Sequence, residues 1–462
     1  MKIPAHNPHD ALWQAACARA LHKHEPGHST HQIDTHAIMQ QVNSHVHQDL
    51  ATLLQEDDNI SKLFMSLAYA EHNHDRQQTE RIKQKLQALQ PHFTWEQSKN
   101  LFKSYLMGSA GAPVYRDWRD SDQKLNFSVV DYRLPDDAKI GIVGDWGTGA
   151  DDAKALLEEL LTEHKIDLLL HLGDIYFACL EEEMLYNFYN PIQDVFQKTG
   201  QSVPIFTIPG NHEYYAGGLA FYQLIDQLND NFGEDYKQQA SYFCLRSESD
   251  QWQILGIDTA YREALQNVSV NDKKNYDFDA HYPGILDTEL EWHKHKLDSF
   301  SGKTLVLSHH GLLSAKTPLN KPDSTQLAYL SPPLLQQLGD SLADIHLWIW
   351  GHEHDFTLFK KNLALPNNTT LRNACLLGGS ARDTLESKAL PLAYPEIAFH
   401  DAKGKAVEAG SCNGYSNHTY GVLDLGANKI AYYQIPAWSG TERKPLPSGQ
   451  NKCLIEVCPA LD

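Results

Sequence analysis

Five short apolar runs each stop at a group able to bind a hard or borderline metal ion. Ile140 to Val143 stops at Gly144-Asp145, and Leu168 to Leu172 at Gly173-Asp174. Ile205 to Ile208 stops at Gly210-Asn211-His212-Glu213. Leu305 to Leu307 stops at His309-His310, and Leu347 to Trp350 at Gly351-His352-Glu353-His354. Carboxylate, amide oxygen and imidazole together suit Zn²⁺, Mn²⁺ or Fe better than Ca²⁺ or copper. One carboxylate can bridge two cations, and two cations about 3.5–4 Å apart can clamp an in-line displacement at phosphorus. A water held between them is acidified towards neutrality, which makes hydroxide available as the nucleophile. Glycines before Asp145, Asp174, Asn211 and His352 let the chain turn sharply and let a substrate approach the backbone.

Such a set works only if its members meet. In open α/β sheets ligands bind beyond the carboxyl ends of the strands, so the five runs are expected to be strands opening on one crevice. The spacing around them agrees. A helical pattern through Leu156, Leu157, Leu160 and Leu161 follows the first run, and another around Leu286, Leu290 and Leu297 precedes the fourth. Trp252 to Ile257 and Ala374 to Leu377 read as further strands, and Tyr420 to Leu425 and Lys429 to Tyr433 as a hairpin about Gly426-Ala427-Asn428. Strands alternating with helices indicate an α/β layered fold.

Ahead of this region the pattern is different. Val42, Val46, Leu50, Leu53 and Leu54 recur at helical steps, as do Ile82, Leu86 and Leu89. Residues 1–107 are therefore expected to be a helical domain, rich in histidine, with 108–113 as linker, 114–440 as the α/β domain and 441–462 as a tail. Twelve histidines fall before residue 100, and they read as scattered, solvated side chains on polar faces rather than as a fixed metal site. The helical region is a candidate docking surface for a protein partner.

In order along the chain stand GDWG at 144–147, GD at 173–174, GNHE at 210–213, VLSH at 306–309 and GHEH at 351–354. This set resembles the calcineurin-like metallophosphoesterases, and in particular their purple acid phosphatase branch. The resemblance runs over about residues 138–435. It implies a four-layer α/β/β/α sandwich and a dinuclear centre of Fe, Mn or Zn. It implies Asp145 and His354 on the first metal, Asp174 bridging, and Asn211, His309 and His352 on the second. It implies His212 as the acid that protonates the leaving oxygen. One position departs from the branch, which has tyrosine three residues after the bridging aspartate. Here Phe177 stands there and Tyr176 one place earlier. Tyr176 is expected either to reach the first metal through a local shift or to pack as an ordinary aromatic. His310 is expected to line the pocket and contact phosphate, or to be part of the core. Trp146, Tyr214 and Tyr215 are candidates for shaping the cleft.

Composition narrows the partners. The 462 residues carry 39 Lys and Arg against 59 Asp and Glu, a formal charge of −20, which disfavours nucleic acid as a partner. No apolar run is long enough to cross a bilayer, no secretory signal is visible, and seven scattered cysteines fit a reduced compartment. A cytoplasmic location is expected, with a phosphorylated small molecule or phosphoprotein as substrate. Hydrolysis of phosphomonoesters is the favoured reading. The alternatives are a phosphodiesterase or nucleotide hydrolase, and a degenerate fold kept as a binding scaffold.

Overall fold

The computed structural model describes residues 113–437, apart from 177–178, 180, 216, 265–282, 320–326, 383, 385–388 and 413–414. It also describes 453–459 and a few residues between 75 and 84. The expected helical domain and its histidines therefore lie almost entirely outside the described residues, as does Phe177.

Seventeen strands are described. The first nine are β1 (Tyr132–Leu134), β2 (Lys139–Val143), β3 (Leu168–His171), β4 (Ile205–Thr207), β5 (Phe243–Ser247), β6 (Trp252–Ile257), β7 (Lys303–Ser308), β8 (Ile345–Trp350) and β9 (Phe356–Leu358). The rest are β10 (Leu363–Ala364), β11 (Thr370–Leu371), β12 (Ala374–Leu377), β13 (Ser411–Cys412), β14 (Tyr415–Ser416), β15 (His418–Asp424), β16 (Lys429–Ile435) and β17 (Cys453–Pro459). Of the two large sheets, one has the order β17-β16-β15-β2-β3-β4 and the other β1-β5-β6-β7-β8-β12-β9, while β10 pairs with β11 and β13 with β14. In the first, β2, β3 and β4 are parallel neighbours, and in the second β6, β7 and β8 are.

The period-two alternation of a strand sorts its side chains between two cores. Ile140, Ile142, Leu168 and Leu170 of one sheet share a buried cluster with Leu305, Leu307, Leu347 and Ile349 of the other. The sheets therefore pack face to face. Val143 and Leu169 point the other way, onto Leu156, Ile192 and Phe221 of helices Asp151–Glu159, Asn190–Thr199 and Leu219–Gln227. On the outer face of the second sheet, Val306, Trp348 and Trp350 meet Trp292, Leu297, Leu334 and Leu338 of helices Asp287–Asp298 and Pro332–Leu338. The result is the expected four-layer α/β/β/α sandwich. Strands apolar on both faces, such as Ile345–Trp350, are what such a middle layer requires.

The hairpin of β15 and β16 forms as expected, and β15 extends the first sheet next to β2. The segment expected as a tail supplies β17, an edge strand antiparallel to β16. Among the described residues no helix is long and apolar enough to cross a membrane.

Candidate metal centre

The sandwich sets the carboxyl ends of β2, β3 and β4 against those of β7 and β8, and the site is built from the residues just past each strand. Two groups of side chains result. Ligand atoms of Asp145, Asp174 and His354 lie within 4.8 Å of one another, and so do those of His309, His310 and His352. Asp174 joins the groups, since its Oδ1 is 3.2 Å from His309 Nε2. Asn211 belongs to the second group: its Oδ1 is 3.0 Å from His309 Nε2 and 3.1 Å from His352 Nδ1.

The backbone is bent to make this meeting. Asp145, Asp174 and His352 have φ of 57°, 75° and 72°, the left-handed region that side chains with a Cβ avoid. Such residues cost about 1–3 kcal/mol each and cluster where function fixes the geometry. Gly210 faces the same constraint in space. A Cβ there would collide with Asp174 Oδ1 and stand 2.7 Å from His309 Cε1. Gly210→Ala is expected to lower metal content, read by elemental analysis, and to cost about 1–3 kcal/mol of stability by overpacking. Wild-type metal content in that variant would show that the turn has slack.

The protonation pattern tests whether these residues fit cations. His309 Nδ1 lies 2.8 Å from the carbonyl oxygen of Leu172, which can only accept, so the imidazole proton sits on Nδ1. Burial holds the ring near pKa 4, against the opposing pull of Asp145, so it is neutral at neutral pH. Its Nε2 lone pair then faces the oxygens of Asn211 and Asp174 and a nitrogen of His352. Four donor atoms converge on one point, and with the His352 proton on Nε2 a cation there would turn the repulsion of their electron pairs into attraction. The carboxylates agree. Burial pushes Asp174 up to about 7, with His212 opposing, and raises Asp145 as well. A divalent ion supplies the positive charge that keeps both ionised. The donor set fits.

Tyr176 sits in the first group. Its hydroxyl donates to Asp145 Oδ1 at 3.0 Å and lies 2.9 Å from His354 Nε2. The reason is a contact between loops rather than strand alternation. Gly147 bridges to Ile175 and accepts the Tyr176 N–H at 2.9 Å. A side chain at position 147 would stand 2.7 Å from the Asp174 carbonyl oxygen, so that loop carries none. His212 stands at the rim, its side chain 14% exposed, with Nε2 3.7 Å from Asp174 Oδ2. His310 is wholly buried, Nδ1 3.1 Å from Thr259 Oγ1 and Nε2 3.1 Å from Glu263 Oε2. Trp146 is a packing residue against Phe188, its Nε1 bonded to the Ala153 carbonyl.

Three side chains beside the site had no role readable in the sequence. Glu213 is buried, its carboxylate accepting the N–H of Gly210, Asp174 and Ile175, so it buckles the turns after β3 and β4. Asp258, at the end of β6, accepts the Tyr214 hydroxyl at 2.6 Å and so ties the short helix Asn211–Tyr215 to the second sheet. Lys316 is ion-paired with Asp355, next to His354. Asp258 and Lys316 are lone polar residues whose partners are far away in sequence, and no local pattern marks them; Glu213 stands in the GNHE run, but its bonds to Asp174 and Ile175 exist only in the fold.

Residues 138–356 match the family model for calcineurin-like phosphoesterases. No curated protein matches the chain. Among solved structures, TT1561 of Thermus thermophilus is similar at 11% identity and a TM-score of 0.35, covering 64% of this chain and 98% of that one. The phosphopantetheinyl hydrolase of Mycobacterium tuberculosis is similar at 13% identity and a TM-score of 0.29, covering 53% and 91%.

Proposed function

Starting from the calcineurin-like phosphoesterase domain at residues 138–356, we propose that this chain hydrolyses phosphoesters at a dinuclear metal centre. We take phosphomonoesters as the substrate class. Asp145, Asp174, His354 and Tyr176 would hold one ion, and Asp174, Asn211, His309 and His352 the other. The observation that carries this reading is the convergence of ligand atoms of Asp174, Asn211, His309 and His352 on one point.

Bound there, divalent cations supply Lewis-acid polarisation of the phosphoryl group and a nucleophile at neutral pH. The chain's own residues do the rest. Asp174 orients the entry of the short helix by accepting the His212 N–H at 3.3 Å. The His212 ring, packed edge-on to Tyr176 with centroids 4.7 Å apart, has one side open to solvent. It is placed to give a proton to the departing oxygen. Glu213 and Asp258 keep that helix in register and touch no reacting atom.

The test is elemental analysis of the purified full chain, with hydrolysis of p-nitrophenyl phosphate and bis(p-nitrophenyl) phosphate. The expected result is bound Fe, Mn or Zn, and turnover that a chelator abolishes and added metal restores. Absence of both metal and turnover, with Mn²⁺, Zn²⁺ or Fe²⁺ supplied, would leave the scaffold reading.

A further inference from the structure

Arg382 stands against the first donor group and has no part in the chemistry proposed so far. It comes after the turn Gly378-Gly379-Ser380 at the end of β12. That turn is locked onto the site. The Ser380 hydroxyl bridges the Gly144 N–H and the Thr419 carbonyl. A Cβ at Gly378 would stand 2.7 Å from the Glu353 carbonyl oxygen and 3.0 Å from Asp145 Oδ2. Ala381 is buried, and the half-buried Arg382 then lays its guanidinium over the Tyr176 ring, 5.3 Å from the centroid. Tyr176 thus lies between His212 on one side and Arg382 on another, with its hydroxyl on Asp145 and His354.

The guanidinium therefore stands one ring away from the Asp145 and His354 donors. A positive charge so close to the donors matters in a chain of net charge −20, whose field repels anions.

We propose that Arg382 is a substrate-binding residue that recognises the second negative charge of a phosphomonoester, and so favours monoesters over diesters. This rests on the chain being a phosphoester hydrolase. A monoester carries close to two negative charges at neutral pH, a diester one. A guanidinium presents a planar fork of donors that matches two phosphate oxygens, where an ammonium offers a point charge.

The experiment compares the full-length wild type with Arg382→Gln and Arg382→Lys. It measures metal content, orthophosphate binding by titration calorimetry, and kcat and KM for p-nitrophenyl phosphate and bis(p-nitrophenyl) phosphate. Arg382→Gln is expected to keep its metal, to weaken orthophosphate binding and to raise the monoester KM, each roughly 10- to 100-fold. The diester KM should move far less. Arg382→Lys should recover part of the loss. Equal losses on both esters, or loss of metal, would make Arg382 a brace for Tyr176 and overturn the proposal. Unchanged phosphate binding in an active Arg382→Gln would overturn it too, with the hydrolase reading intact. A wild type that turns over neither ester, yet binds orthophosphate more tightly than Arg382→Gln, would sink the hydrolase reading and keep Arg382 as an anion-binding residue. If the wild type neither binds orthophosphate nor turns over, both fall.

Discussion

Replacing Asp174 by asparagine will remove metal and turnover together. The substitution is nearly isosteric, so the turn after β3 keeps its shape and the sandwich its packing. What changes is the charge at the point where the two donor groups touch. Asp174 Oδ1 faces His309 Nε2 at 3.2 Å, and the same carboxylate lies within ligand range of Asp145 and His354. Asparagine removes a negative charge from both groups and brings an N–H₂ into a space lined by lone pairs. Loss of the transition-state stabilisation supplied by bound cations is worth several kcal/mol, a fall in kcat on the order of 10³-fold or more. The metal-free fold should not suffer. Burial already pushes the Asp174 carboxyl up to about 7, and an amide removes the cost of ionising it there. Melting the two proteins with and without metal checks this. The wild type should gain stability from metal and the variant should not. A variant that holds as much metal as the wild type would take Asp174 out of the donor set.

His212→Ala has the opposite signature, with metal kept and rate lost. The side chain stands at the rim, and its Nε2 is 3.7 Å from the nearest Asp174 oxygen. Removing it uncovers part of Tyr176 and leaves Asn211, His309 and His352 in place. A proton-transfer group contributes roughly 10²–10⁴-fold, and its share grows as the leaving group becomes more basic. The loss should therefore be larger for an alkyl phosphate than for p-nitrophenyl phosphate, whose leaving group departs without help. Parallel elemental analysis and kinetics on the two esters read the result. Metal loss matching that of Asp174→Asn would assign His212 to ligation. Equal rate loss on both esters would place its action on the phosphoryl group instead of the leaving oxygen.

The frame of the molecule was legible because both faces of its central strands are covered. Runs such as Leu168 to Leu172 and Ile345 to Trp350 have no other use in a chain of this polarity, and each ends in chemistry. Peripheral elements were harder to read. Helices Asn190–Thr199 and Leu219–Gln227 and strand Phe243–Ser247 drew no expectation from the sequence, because their apolar residues face cores made by distant segments. Within the site, strand-end donors advertise themselves by type and by the glycine before them. Asp258 and Arg382 do not, since each depends on a partner that only the folded chain brings near. The position of Tyr176 was open for the same reason. It turns on Gly147 docking against Ile175, and a strand-alternation argument cannot see a loop meeting a loop.

Asp145, Asp174 and Asn211 hang from one leaf of the sandwich, and His309, His352 and His354 from the other. A cation gripped by both is a rivet through two plates. Any slip of one leaf along its neighbour, even one too small to disturb either hydrogen-bond ladder, alters the distances between opposing donors. The greasy interface of Ile140, Leu168, Leu305 and Leu347 therefore acts as the gauge block that holds the rivet hole to size.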